Sequence, residues 1–432
     1  MNDPSQRLDD GPAFGKGLAL ATWALFAGLA LLMLAGGLFG TLLGVRSERE
    51  ALPTVVSSII SASYYGGFLV GSRVTLWALA RVGHIRVYAA LTSLLSAAMI
   101  GIGITDDPSS WVFLRLITGL CLAGLYVVAE SWLNDLATNE NRGRLLAIYG
   151  VVTMAFFSLG QVLLVRFDPL VVTGFAVAAI VASLAVAPVA LSEAARAPNL
   201  EEAENISLRE LTKVVPTGVV SSVLVGMAHG AIAGMAAIYA TRVGLSPGRI
   251  GLYVALPSLG GVLLQWPISA ASDDIDRRAV GGAAALGAAA VGALLLLGPA
   301  NHPIALALIC LLGGMSYPLY SIVGAYTNDW IEPEHLNAAA SQLVTLYGMG
   351  AVVGPLVAGG AMGVFGPKGF YWSLIAIHVC IAVFFIHRMF AWRSPFAKRP
   401  WDEVSLPARA FFVPATIISL GRRRRRKRRV SA

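Results

Sequence analysis

Twelve apolar runs follow one another along the chain, and turn-forming or charged residues separate them. Each run approaches or exceeds the roughly 20 residues that a helix needs to cross a bilayer, and none alternates as a half-buried strand does. The pattern therefore predicts twelve transmembrane helices, with turns at breakers such as Asp106-Asp107-Pro108 and Gly366-Pro367. They cover residues 17–45, 54–80, 85–105, 110–136, 143–167, 169–191, 214–241, 249–271, 279–299, 303–330, 337–365 and 369–390.

The second half of the chain repeats residues of the first half at a spacing of 194 positions. The matching pairs are Gly119 and Gly313, Leu125 and Leu319, Tyr126 and Tyr320, Asn134 and Asn328, and Asp135 and Asp329. A period of this length indicates duplicated domains rather than a solenoid. We expect a cytoplasmic N-terminus at 1–16, six-helix bundles at 17–191 and 214–391, a cytoplasmic linker at 192–213 and a basic tail at 392–432.

The composition places these helices in a membrane. Of the 432 residues, 56% are hydrophobic and 13% are charged, and the mean hydropathy is +0.72, which excludes an ordinary soluble protein. Lipid satisfies no backbone hydrogen bonds, so the spans must be helices or a closed barrel, and these runs lack the alternation of barrel strands. The first run is too long for a cleaved signal peptide. The predicted fold class is an all-α polytopic membrane protein.

Basic residues indicate the side on which the termini lie. An even number of spans puts both termini on one side, and cytoplasmic loops carry the excess of Lys and Arg. The run Arg422–Arg429 holds seven arginines and one lysine, so we expect both termini to be cytoplasmic. Two interpretations of this run stay open: a solvated tail that supports the orientation, or contact with anionic lipids of the bilayer. We do not expect nucleic acid as a partner.

Two ionisable residues fall within the fourth predicted helix. Charged groups inside a bilayer are costly, which makes Arg115 and Glu130 candidates for substrate binding or proton coupling. Tyr126, Glu130 and Asn134 lie on one stripe of this helix, which we expect to face the protein interior. Arg115 and Glu130 are separated by roughly 22 Å along the helix axis and cannot pair with each other.

The second half keeps the frame of this helix but not its charges. At the repeat spacing, Ile309 corresponds to Arg115 and Gly324 corresponds to Glu130. This difference favours a functional role for the two charged residues over a purely structural one. Glu130 is the candidate proton carrier, because a buried carboxyl group can take up and release a proton near neutral pH. Arg115 stays charged and can hold an anion or pair with a carboxylate.

Three uncharged polar residues inside the predicted spans are further candidates. His229 in the seventh helix is interpreted as the only histidine well inside a span. Its imidazole can relay protons or serve as a hydrogen-bonded packing residue. Gln161 and Gln265 can bind polar groups of a substrate or bridge two helices.

The chain resembles the major facilitator superfamily of transporters over residues 17–391. Arg115 and Gly119 match the family's Arg-x-x-x-Gly pattern in the fourth helix. Residues 80–86 resemble the family's Asp-Arg-x-Gly-x-x-Arg loop motif, with Ala80 in place of the acid. The amino-acid sequences of residues 81–86, 118–134 and 264–268 resemble those of the YcaD-type branch of bacterial inner-membrane transporters.

The resemblance implies a mechanism and a location. It implies alternating access around a cavity between the two halves and residence in the bacterial inner (plasma) membrane as a multi-pass protein. It also implies that cytoplasmic loops latch the outward-facing state through charge contacts. The latch candidates are Arg81, Gly83 and Arg86 in the first half, and Asp273, Arg277 and Arg278 in the second half.

The sequence therefore predicts a secondary active transporter of a small molecule that is coupled to protons and works in efflux or uptake. No phosphate-binding Gly-Lys-Ser/Thr loop is present, so we expect no nucleotide-driven pump, no cofactor and no enzyme activity. Cys121, Cys310 and Cys380 have neither disulfide parity nor metal spacing, so we expect no metal site. The alternative is a non-transporting membrane receptor or scaffold that retains the fold.

Overall fold

The computed structural model describes residues 16–136, 142–191, 207–332 and 335–391, so the basic run Arg422–Arg429 lies outside the described residues. Within those ranges the chain forms helices and turns and no strand. The helices are α1 (Lys16–Arg49), α2 (Thr54–Val82), α3 (His84–Ile104), α4 (Pro108–Leu136), α5 (Arg142–Val162), α6 (Val172–Leu184), α7 (Val186–Ala190), α8 (Leu208–Val214), α9 (Pro216–Arg242), α10 (Pro247–Asp274), α11 (Arg277–Leu297), α12 (Pro303–Ser316), α13 (Pro318–Asn328), α14 (Leu336–Phe365) and α15 (Gly369–Ala391).

The described helices supply twelve candidate membrane crossings. Eleven segments of the described residues are long and apolar enough to span a bilayer, and the last of them, Ala338–Ala391, has 54 residues. A straight helix of that length would measure roughly 80 Å, whereas the hydrocarbon layer is about 30 Å thick. The 3₁₀ turn Gly366–Lys368 divides this segment into α14 and α15, and Gly366 has a φ of 66° that favours glycine. The predicted all-α fold with twelve transmembrane helices is confirmed.

Proline and aspartate mark where several helices begin. The helices α4, α9, α10 and α12 each start with a proline, whose fixed φ and missing N–H suit the first helical position. Before α4, the Asp107 carboxylate accepts hydrogen bonds of 2.8 Å from the backbone N–H and from the hydroxyl of Ser110. These bonds favour the charged carboxylate and lower the pKa of Asp107.

Two of the predicted helices are interrupted in the structure. The helix predicted at 169–191 starts at Val172 and breaks at Ala185, between α6 and α7. The helix predicted at 303–330 breaks at Tyr317, between α12 and α13. Pro318 explains the second break, because a proline inside a helix has no N–H to donate to the preceding turn.

Part of the predicted linker is helical. Residues 192–206 lie outside the described ranges, but α8 occupies Leu208–Val214. Ser207 and Glu210 form a capping box, in which the Ser207 hydroxyl accepts from the Glu210 N–H and the Glu210 carboxylate accepts from the Ser207 N–H. Hydrogen bonds from the hydroxyl and the N–H of Ser207 lower the pKa of Glu210.

The two halves are built from corresponding helix pairs. In the first half α1 packs on α5 and α2 packs on α4; in the second half α9 packs on α14 and α10 packs on α12. In both halves, glycine allows the backbones of two neighbouring helices to approach closely. A Cβ atom on Gly119 of α4 would overlap the carbonyl oxygen of Tyr64 in α2, and one on Gly313 of α12 would overlap that of Pro257 in α10. The sequence repeat is therefore also a repeat of helix packing.

The contacts that join the two halves extend toward one end of the bundle. Twelve crossings return the chain to its starting side, so the start of α1 and the end of α15 lie at one end, the terminal end. The opposite end, with the loop between α1 and α2, is the distal end. The halves join through α2 with α14, α1 with α9 and α5 with α10. Their contacts run from Leu69 and Gly348 near mid-span to Val165 and Gly248 at the distal end.

Candidate functional site

A cavity lies between the two halves. It has an empty volume of about 990 Å³, including the part that is open to solvent, and its wall comes from α1, α2, α4 and α5 of the first half and from α9, α10 and α14 of the second half. A cavity that both halves line can bind a small molecule on two sides. The polar residues of the wall are Thr41, Ser47, Ser57, Ser61, Tyr64, Tyr65, Arg115, Gln161, His229 and Tyr347.

Arg115 reaches this cavity from α4. Its guanidinium lies 4.5 Å from the ring centroid of Tyr64 and 5.4 Å from that of Phe39. The Nε atom is buried and has no hydrogen-bond partner, and none of the described carboxylates forms an ion pair with Arg115. The aromatic faces attract the cation but supply no compensating negative charge.

Other polar atoms of the wall also lack partners among the described residues. Gln161 Oε1 and Ser57 Oγ are buried and accept or donate no hydrogen bond there. The rings of Tyr64 and Tyr65 stand edge to face, with centroids 5.1 Å apart, on the same wall. Buried polar groups in proteins are normally hydrogen-bonded. These atoms therefore lack the hydrogen bonds that buried polar groups normally make.

His229 enters the cavity from α9 with both ring nitrogens engaged. Nε2 lies 3.1 Å from the carbonyl oxygen of Ser316, and Nδ1 lies 3.0 Å from the hydroxyl of Tyr347. Because a carbonyl only accepts, we assign the proton to Nε2, and Nδ1 then accepts from Tyr347. In this state the neutral imidazole ties α9 to α12 and α14.

The expectation that His229 is the only histidine well inside a span is wrong. His378 lies near the centre of α15 and is completely buried. Its Nδ1 donates to the carbonyl of Leu374 at 2.7 Å, and its Nε2 accepts from the hydroxyl of Ser316 at 2.9 Å. Ser316 thus connects the two histidines. A histidine within an otherwise apolar helical run was the signal that could have identified it.

Three of the predicted candidates on α4 lie outside the cavity wall or outside the described side chains. The Tyr126 hydroxyl donates to Met33 Sδ at 2.9 Å. Glu130 is 5% exposed and accepts a 3.0 Å hydrogen bond from the hydroxyl of Tyr149 on α5. Asn134 belongs to α4, but its side chain lies outside the described part of the chain. The described side chains of the predicted stripe, Tyr126 and Glu130, therefore lie outside the cavity wall.

Gln265 also lies away from the cavity wall. Its Nε2 donates to the hydroxyl of Ser321 on α13 at 2.8 Å and to that of Ser269, one turn further along α10, at 3.2 Å. These bonds fit the alternative in which Gln265 bridges helices.

The latch candidates of the second half form a charged network at the terminal end. Arg277 Nε lies 2.6 Å from a carboxylate oxygen of Asp329, and Arg277 Nη1 lies 3.4 Å from Asp273. Arg278 pairs with Asp276 at 2.7 Å. Each of these bonds lies within the second half, so they link α11 to the ends of α10 and α13.

The latch candidates of the first half occupy the turn between α2 and α3. The Arg81 guanidinium stacks over the ring of Trp77 at 4.0 Å, and Arg86 is exposed. Gly83 has a φ of 82°, a left-handed conformation that favours glycine. The role of all six residues as a conformational latch stays a prediction.

An ion pair between the halves, absent from the sequence predictions, closes the distal end. Arg242 at the end of α9 donates from Nε and Nη2 to the two carboxylate oxygens of Glu48 at the end of α1, at 2.7 and 2.6 Å, and from Nη1 to the hydroxyl of Thr54. Glu48 and Arg242 follow the apolar runs of the first and the seventh predicted helix, and their opposite charges were the available signal.

Two family models match the chain. The model described as "Major Facilitator Superfamily" matches residues 218–429, and the model described as "Sugar (and other) transporter" matches residues 26–192. Over 337 residues, the chain is also 29% identical to the uncharacterized MFS-type transporter YcaD of Salmonella arizonae. The matched region covers 77% of this chain and 86% of that protein.

Two solved structures have a similar fold. The nucleoside transporter NupG superposes with a TM-score of 0.68 at 13% identity, covering 87% of this chain and 100% of NupG. A bacterial homolog of the human lysosomal transporter Spinster, in an inward-facing and unoccupied conformation, superposes with a TM-score of 0.66 at 14% identity, covering 94% of this chain and 98% of that chain. At these identities the likeness is one of fold alone.

Proposed function

The chain belongs to the major facilitator superfamily, and on that basis we propose that this multi-pass membrane protein is a secondary active transporter that carries a small molecule across the bacterial inner membrane by alternating access. One observation carries the proposal: the cavity is lined by both halves, and the contacts between the halves run from mid-span to the distal end. Rocking of two repeats around such a cavity exposes it to either side in turn.

The Glu48–Arg242 pair is the charged part of the distal closure. Both side chains are mostly shielded, with 15% and 22% of their side-chain surface exposed, and the guanidinium contacts both carboxylate oxygens. Opening of the distal end must separate this pair, so it stabilises the distally closed state. With both termini in the cytoplasm, as proposed from the basic tail, this state faces inward.

Proton coupling is assigned to Glu130. Its carboxyl group is buried, and the hydroxyl of Tyr149 donates to it across α4 and α5. Protonation removes a charge from a low-dielectric interior and changes this hydrogen bond, which couples the state of the proton to the packing of α4 against α5. The carboxyl lies outside the cavity wall, so a proton and a substrate can be bound at separate places.

The test of transport uses the full chain in liposomes. A panel of metabolites and drugs is first screened by thermal shift on the purified protein, and the compounds that raise Tm are then followed for flux under an imposed pH gradient. We expect flux of at least one compound, and a protonophore should abolish this flux. The direction of the pH gradient that drives the flux distinguishes export from uptake. Binding without flux under every gradient would contradict transport and favour the receptor or scaffold.

A cross-linking experiment tests alternating access directly. In a chain whose three native cysteines are replaced by serine, Glu48→Cys and Arg242→Cys place two thiols at the distal closure. A short bifunctional thiol reagent should stop flux and leave binding from the terminal side, because the distal end can no longer open. The single-cysteine variants, treated with the same reagent, are the matched controls and should continue to transport. Undiminished flux after complete cross-linking would exclude this gate.

A further inference from the structure

The wall of the central cavity carries one formal charge, counted over the lining residues that the structure describes. That charge is the guanidinium of Arg115, and the lining contains no aspartate or glutamate. His229 uses its two nitrogens for Ser316 and Tyr347 and is assigned as neutral. The cavity is therefore electropositive at Arg115.

The surroundings of Arg115 leave hydrogen-bond donors available. The rings of Phe39 and Tyr64 lie beside the guanidinium and cover apolar surface, and Gly40 opens space on the α1 side, where an added Cβ would lie 3.8 Å from Nη2. The buried Nε donates to nothing among the described residues. A guanidinium presents its donors as a planar fork that fits the two oxygens of a carboxylate.

The charge balance of the cavity favours a single negative charge on the ligand. A monoanion neutralises Arg115, whereas a dianion would leave one negative charge without a partner in a low-dielectric site, which is strongly unfavourable. A cation would meet Arg115 with no carboxylate in the wall to offset the repulsion. A neutral molecule would leave the guanidinium uncompensated.

The rest of the wall fits an organic body next to the anionic group. The rings of Tyr64, Tyr65 and Phe157 supply aromatic surface, and Gln161 Oε1 is a buried acceptor that lacks a donor among the described residues. Apolar surface with a few convergent polar groups is the usual composition of a small-molecule site.

Resting on the transporter function proposed above, we propose that the central cavity binds a small organic monocarboxylate, with its carboxylate on the Arg115 fork and its body against Tyr64, Tyr65 and Phe157. The carboxylate takes the place of the ion-pair partner that Arg115 lacks within the described protein.

Binding of matched probes to the purified full chain tests the ligand class. The probes are benzoate, 3-phenylpropionate and octanoate, each beside its own primary amide, and phenyl phosphate as a dianionic comparison. Affinities come from the ligand-dependent rise of Tm at constant pH and ionic strength. We expect at least one acid to bind tenfold or more tightly than its amide, since hydrogen bonds to charged groups are the stronger ones. Phenyl phosphate should bind no more tightly than benzoate.

Variants then assign this preference to a residue. Arg115→Gln should remove the preference of acid over amide, and the matched control Arg166→Gln, an exposed arginine outside the cavity wall, should keep it. If Arg115→Gln does not fold, Arg115→Lys replaces it: it keeps the charge without the forked geometry and should lower the acid-to-amide ratio about tenfold. The proposal is overturned if no acid binds more tightly than its amide, or if the Arg115 variant that folds keeps the acid-to-amide ratio of the unchanged protein.

The outcome is independent of the transport assay. Acid binding that needs Arg115, without flux in liposomes, would support the anion site and contradict transport. Gradient-driven flux of a neutral or cationic compound, with no acid preferred over its amide, would support transport and overturn the anion site.

Discussion

In the first half, Gly160 brings α5 so close to α1 that an added Cβ would overlap the carbonyl oxygen of Leu34; in the second half, Gly354 brings α14 equally close to α9 at Met227. Where backbone touches backbone, both copies keep glycine because no side chain fits. The frame of the two halves is therefore set by close packing, and it leaves little freedom for change.

The same two halves differ where they border the cavity. Arg115 lines it, whereas its counterpart Ile309 is completely buried in the core. His229 of α9 and Gly36 of α1 both line the cavity, and only the histidine brings a polar side chain to it. Positions that border the cavity tolerate different residues, because no neighbouring side chain restricts their size. The charge and the polarity of the site therefore come from residues that differ between the two halves.

Removal of the Glu130 carboxyl group, which has no equivalent at Gly324 of the second half, should have the largest effect on transport. We expect Glu130→Gln to abolish pH-driven accumulation while substrate exchange continues, because the amide keeps the size and a hydrogen bond to Tyr149 but carries no proton. Transport under imposed pH gradients and counterflow measure the two activities. Glu332→Gln, an exposed acid, is the control. An unchanged gradient response would remove Glu130 from the mechanism.

The second prediction tests whether the two frames are equivalent. Gly119→Ala and Gly313→Ala should each lower the free energy of unfolding by about 1–3 kcal/mol, because the new Cβ overlaps the backbone of α2 or α10. Gly363→Ala, where nothing lies within 4 Å of an added Cβ, is the matched control and should not destabilise. Unfolding in mixed detergent measures all three. A loss in only one half would contradict equivalent packing.

The third prediction concerns the ion pair that joins Glu48 of the first half to Arg242 of the second half. Glu48→Ala and Arg242→Ala should each shift the population about tenfold toward a distally open state, which corresponds to about 1.4 kcal/mol. The double variant should add little, because the pair is already broken.

Spin labels provide the measurement for this pair. Cysteines at the exposed positions Leu170 and Ser246, one in each half near the distal end, in a chain without native cysteines, report the distance between the halves. A distance distribution that stays the same in both single variants would show that the ion pair does not hold the distal end closed.

The smallest predicted effect belongs to the polar link that only the second half has. Ser316→Ala should cost about 1 kcal/mol of stability, since it removes the hydroxyl bonded to His378 and leaves the carbonyl that accepts from His229. Thr345→Ala, which removes an exposed hydroxyl bonded within its own helix, is the control. Thermal unfolding in detergent compares them, and an equal effect of both variants would contradict a specific role of Ser316.

Much of the fold could be predicted from the sequence because a bilayer leaves few choices. Apolar runs of sufficient length must be helices, and prolines such as Pro303 and Pro247 mark where helices begin. The breaks were harder to predict: Pro318 disrupts a span, but a proline inside a helix often only bends it.

The candidate site was predicted in part. Burial of a polar group in lipid is energetically unfavourable, and on this criterion we selected Arg115, Gln161 and His229 from the sequence. All three line the cavity. The same criterion identified Glu130 and Gln265, which lie outside its wall, because periodicity assigns a residue to a helix face but not to the helix that covers that face.

The sequence by itself determined that this chain is a duplicated, twelve-helix membrane protein with unmatched charges in its first copy, because hydrophobic length and repeat spacing are properties of the chain alone. Only the tertiary structure decided that Arg115 borders the cavity without an ion pair among the described residues, and that Glu48 meets Arg242. Those facts depend on distances between helices far apart in sequence, which arise when the two copies pack against each other.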